Sequence, residues 1–147
     1  MTTKEATHMT AKHAPFRSGG WQRIMDLAAK EEQVGTRRYA LYVIEVESLD
    51  ERVAYEFYVG MTRTSGRHRM TQHSERGDRA WRMFRNGHAR PVRLREDLTE
   101  GLPRFRTEAK ALQAEGLLAR VISANVGPAY SDQLHDRRKR HEARQGI

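Results

Sequence analysis

Residues 39–60 read YALYVIEVESLDERVAYEFYVG. The first ten alternate and are rich in aromatic and β-branched side chains, the pattern of a strand with a buried face. SLDER (48–52) is polar and reads as a turn, and VAYEFYVG (53–60) reads as a second strand, so the stretch predicts an antiparallel hairpin. With SLDER as a five-residue loop, Glu47 faces Val53 and Tyr42 lies opposite Tyr58. Leu41, Val43, Phe57 and Val59 then share one face, and Tyr42, Ile44, Val46, Ala54 and Tyr58 the other. Both faces are apolar, which predicts a sheet covered on each side. A slip of one residue would part the two tyrosines.

Upstream, WQRIMDLAAKEEQ (21–33) places Trp21, Ile24, Leu27 and Ala28 at helical spacing. Residues 1–19 are polar and lack a period. Downstream, RHRMTQHSER (67–76) reads as a short helix broken by Gly77-Asp78. RAWRMFRNG (79–87) reads as another, with Trp81 and Phe84 three apart and Asn86-Gly87 as its stop signal. PVRLREDL (91–98) offers a third strand. PRFRTEAKALQAEGLLARVIS (103–123) is the longest helical pattern and is ended by residues 125–128. The chain is polar from Ser131 and closes on DRRKRHEARQGI. This order predicts an α+β fold, a small, mainly antiparallel three-stranded sheet flanked by helices. Residues 1–36 form an N-terminal extension with a short helix, 37–130 the domain, and 131–147 a basic tail.

The chain has 147 residues, of which 37% are hydrophobic, enough for one modest core. No apolar run approaches the roughly 18–20 residues that span a bilayer, and the N-terminus has no apolar core of a secretory signal. These features predict a soluble, cytoplasmic protein. The absence of cysteine excludes disulfides and thiolate metal sites. A formal net charge of +8 predicts a polyanionic partner, nucleic acid rather than membrane. The excess is mostly arginine: twelve lie between Met61 and Arg106, against five acidic residues. Its planar fork suits phosphate. Arg63, Arg67, Arg76 and Arg79 are the candidate nucleic-acid contacts in this run.

On the long helical pattern, Ala111, Leu112, Leu118, Ala119 and Ile122 form an apolar stripe that contains Glu115. A buried carboxylate is costly unless a cation or hydrogen bonds relieve it. Glu115 is therefore either a metal- or arginine-bound acid or a rim residue reaching water, and Glu108, two turns earlier, is the rival. Arg69 and His73 are four apart on one helix face, a phosphate-facing pair or a solvated basic face. There is no Gly-rich nucleotide loop and no histidine pair with convincing metal-ligand spacing.

Taken in order, ALY (40–42), YVG (58–60), the run YVGMTRTSGRHRMTQH (58–73) and the segment EAKALQAEGLLAR (108–120) resemble the GIY-YIG nuclease superfamily. The likeness is to its bacterial branch reading YVGMT and then R-x-x-x-H. It spans about Arg38 to Tyr130, and its specific part is the YVG-to-His stretch. Ala40 stands where the first motif has glycine, and Met61 where some repair members have lysine. The resemblance implies a metal-dependent endonuclease acting on nucleic acid, DNA in preference to RNA. It implies one Mg²⁺ or Mn²⁺ ion per site on Glu115, Arg69 (or Arg67) on the phosphate with His73 beside it, and Tyr42 and Tyr58 sharing the handling of the attacking water. A reading of another class is a non-catalytic nucleic-acid-binding module on the same scaffold.

Overall fold

The computed structural model describes residues 19–33, 35–51, 54–63, 84 and 86–135. Helix α1 (Gly19–Ala29) is followed by strands β1 (Ala40–Ser48), β2 (Phe57–Thr62) and β3 (Ala89–Leu94). A short 3-10 turn (Glu96–Leu98), helix α2 (Glu108–Asn125), strand β4 (Ala129–Tyr130) and helix α3 (Asp132–His135) complete the order. The sheet runs β3-β1-β2-β4, with β1 antiparallel to both β2 and β3 and β4 parallel to β2. The fold is thus α+β with a mixed, mostly antiparallel four-stranded sheet packed against helices. No helix among the described residues is long and apolar enough to cross a membrane.

The hairpin forms as predicted, but its register is shifted by two residues. Tyr42 lies opposite Gly60, and Tyr58 opposite Ile44. A shift of two keeps every side chain on its face, so hydrophobic alternation cannot distinguish the two registers. The ladder reaches only to the bond from Val46 N to Glu56 O (2.9 Å), so the connection is longer than SLDER. Space above Gly60 favours the observed pairing, because the Tyr42 phenol lies across it: a Cβ built on Gly60 would come within 2.4 Å of Tyr42 Oη.

One sheet face carries the main core. Leu41, Val43, Phe57 and Val59 pack with Phe105, Ala111, Ala114, Leu118 and Ile122, while Ile24 and Ala28 of α1 close the layer. The second face is buried as well, since Tyr42, Ile44, Val46, Tyr58 and Ala89 cluster with Phe84 and Tyr130 against them. Asn86-Gly87 does end a turn, with Gly87 at φ +74° and its N–H bonded to Phe84 O at 3.2 Å.

Two expectations fail at the C-terminal side. The two-residue β4 makes a fourth strand, held to β2 by the pairs Phe57 with Ala129 and Tyr58 with Tyr130. Residues 131–135 are not tail: Ser131 is fully buried and Gln133 nearly so, because α3 folds back onto α2.

A buried carboxylate ties α1 to α2. Glu31 accepts bonds from Arg106 N (2.9 Å) and Thr107 N (3.1 Å), just where α2 begins. Its negative charge sits at the positive end of that helix and satisfies amides left without intrahelical partners. Arg37 lies 3.5 Å from the same carboxylate and donates to Ala28 O at the end of α1 (3.0 Å). Glu31→Ala leaves those amides buried without their acceptor, and we expect a loss of about 2 kcal/mol, read as a lowered denaturation midpoint at unchanged slope. An unchanged midpoint would show that water replaces the carboxylate.

Candidate active site

Tyr42 and Tyr58 project from adjacent strands on one face, diagonal to each other, with ring centroids 6.2 Å apart. Their common face follows from period-two alternation, and their separation from the register. Tyr130, opposite Tyr58 on β4, stacks on its ring at 6.1 Å and 13°. His135 stacks on Tyr130 in turn at 4.9 Å, and Tyr55 meets both rings edge-on. Phe84 closes the other side of Tyr58 at 5.7 Å.

Glu115 lies within the stripe of α2 that faces the opposite side of the sheet, and only 5% of it is exposed. Ala111, Leu118, Ala119 and Ile122 of the stripe are core, Leu112 is only partly buried, and Glu115 is not a rim residue. Glu108 is exposed in the first turn of the helix. Ser131 donates its hydroxyl to Glu115 Oε2 at 2.5 Å and accepts a bond from Gln133 N at 3.1 Å. Tyr130 and Ser131 are consecutive, so one turn of chain at the β4 edge touches Tyr58 on one face and Glu115 on the other. Sequence reasoning missed both residues. Ala129-Tyr130 is too short to show a strand period, and nothing in the sequence marks Ser131.

Arg63 is exposed at the end of β2, its guanidinium 5.9 Å from the centre of the Tyr39 ring, which Arg38 also approaches at 5.6 Å. Arg67, Arg69, His73, Arg76 and Arg79 lie outside the described residues. The arginines farther along are largely structural. Arg93 donates to Glu45 at 3.1 Å, Arg90 to Glu47, and Arg95 forks onto Asp97 at 2.9 and 3.0 Å while reaching Glu45 at 2.9 Å. Arg104 and Arg106 donate to the carbonyls of Arg38 and Gly35. The arginine excess read from the sequence therefore overstates the charge left for a phosphate backbone. His88 likewise meets Asp50.

The Glu45 pair has a pH signature. Burial acts to raise the carboxyl, but hydrogen bonds and charge from Arg93 and Arg95 outweigh it and hold Glu45 below its ordinary value. A depressed folded-state pKa adds stability that is present above the unfolded value and lost as pH falls through the folded one. Glu45→Gln should therefore flatten part of the stability decline below about pH 4.5. Parallel acid limbs for wild type and variant would refute that assignment.

Tyr42 also lines a cleft of about 450 Å³ with Glu96, Asp97 and Glu100. Among the described residues no group of three or more His, Asp or Glu side chains could hold a metal ion. Glu115 offers the kind of oxygen donor that Mg²⁺ or Mn²⁺ takes, but it is 5% exposed and one carboxylate oxygen accepts the Ser131 hydroxyl. No family model, no curated protein and no solved structure matches this chain.

Proposed function

We propose that the chain is a divalent-metal-dependent endonuclease that hydrolyses phosphodiester bonds in nucleic acid, with DNA favoured over RNA. The observation that carries this reading is the pairing of the two motif tyrosines on one sheet face, with Glu115 behind the sheet and joined to them only through the β4 edge. Tyr42 and Tyr58 share one face at 6.2 Å, and the turn Tyr130-Ser131 links Tyr58 to the buried Glu115. The GIY-YIG resemblance supplies the same residues from sequence order alone.

In this reading Glu115 holds the ion, and Ser131 fixes the carboxylate through its hydroxyl. A Mg²⁺ or Mn²⁺ ion held there would supply charge neutralisation at the leaving oxygen. One of Tyr42 and Tyr58, with its own proton already lost, would take the proton from the attacking water, and the other would position that water. Arg69 and His73 grip the phosphate, with Arg63, Arg67, Arg76 and Arg79 along the backbone, roles that rest on the resemblance.

Supercoiled plasmid and structured RNA incubated with Mg²⁺, Mn²⁺ or EDTA test the proposal. Nicking with either metal, faster on DNA and absent in EDTA, is the expected result. The second reading, a binding module without catalysis, draws on burial: Tyr42, Tyr58 and Glu115 are only 3%, 5% and 5% exposed. Salt-sensitive binding with no cut of either substrate would favour that module.

A further inference from the structure

On the side of the fold away from the tyrosines, α1, α2 and α3 frame an open groove of about 790 Å³. Arg23 and Lys30 stand on one bank, and Lys110 and Arg120 on the other. None of the four is ion-paired among the described residues. Among the described residues the one carboxylate lining the groove is Asp26, which accepts a bond from Gln22 at 2.9 Å. Between the banks the surface is aliphatic, formed by Leu27, Leu112, Leu117 and Leu134, all partly exposed. Gln133 also lines it. Gln133 is 5% exposed, and its Oε1 is buried with no hydrogen-bond partner among the described residues.

We propose that this groove docks an acidic amphipathic segment of a partner protein. Its apolar side chains would cover the leucines, and its carboxylates would meet the four cations. The combination of aliphatic floor and charged banks is how an amphipathic helix is received in a groove. Nucleic acid fits less well, because no aromatic ring among the described lining residues offers a base a stacking platform. The chain's own ends fit less well too: residues 1–18 and 136–147 each carry net positive charge. The inference is independent of the nuclease reading, since none of these side chains belongs to the proposed catalytic set.

The test uses the full chain and a fluorescein-labelled helical peptide of Leu, Phe, Glu and Asp, followed by anisotropy at low salt. Binding should weaken about tenfold in Arg23→Glu/Arg120→Glu, and weaken further with added salt. The same peptide with Lys in place of its acids should ignore the wild type and bind the reversed variant. That exchange also shows that the variant is folded. Absent binding of the acidic peptide, or equal binding to wild type and variant, would overturn the proposal. So would an oligothymidylate that binds through the groove, losing affinity in the variant, while the peptide does not.

Discussion

If the proposed nuclease reading holds, Glu115→Ala should lower metal-dependent cleavage by about 10³-fold or more, the scale of losing one preorganised electrostatic stabiliser of the reacting group. Nucleic-acid binding stays within a few-fold, because the carboxylate contributes no attraction to phosphate. Glu115→Gln separates charge from shape. Its amide oxygen can still accept the Ser131 hydroxyl, so the fold keeps that bond while the anionic ligand is gone, and cleavage falls to the same floor. Ser131→Ala should be milder, about 10–100-fold, as expected for a residue that orients a ligand, and raising the metal concentration should recover part of the loss. Plasmid nicking at several Mn²⁺ concentrations reads all three variants. Full activity in Glu115→Ala would move the metal to another acid, with the exposed Glu108 next in line.

Gly60→Ala is the second large effect, and it acts through Tyr42. A methyl group on Gly60 would lie 2.4 Å from Tyr42 Oη and 2.5 Å from its Cζ. The ring is 3% exposed, so it cannot swing away freely. Overpacking of this kind costs about 1–3 kcal/mol, and the phenol must leave the site it shares with Tyr58. Both stability and cleavage should fall. The diagnostic is a double-mutant cycle: in a Tyr42→Ala background the added methyl meets no phenol, so Gly60→Ala should cost less than half as much. Additive losses would show that the glycine serves the backbone rather than the tyrosine.

The hairpin and the long helix were legible because they rest on periods of 2 and 3.6 that survive in a single sequence, which also set Glu115 in the apolar stripe but left open whether it reached water. Register was not, because a two-residue shift leaves Tyr42 and Tyr58 on the face where alternation put them. Strand β4 and helix α3 were hidden by length. Two residues and four residues carry no period, and the polar letters of SDQLH concealed a fully buried serine. The pairing of Arg90 and Arg93 with Glu47 and Glu45 was equally invisible. Those partners are more than forty positions apart, and only the β1–β3 register brings them together. Part of the arginine count, Arg90, Arg93 and Arg95, thus stood for charge that meets carboxylates of the fold itself.

Strand β3, at the margin of the sheet among the described residues, bears on how copies of this chain behave in a crowded solution. An open margin is a template onto which another chain can add. Here Pro91 lacks the amide that such an addition would use, and Arg90 and Arg93 are well exposed beside it. The ladder to β1 is also irregular between Glu45 and Val46, which disturbs the even spacing of hydrogen-bonding groups. The opposite side of β2 is occupied by β4. Neither border offers a long regular row of groups to a neighbour, so concentrated samples should resist fibril growth through the sheet.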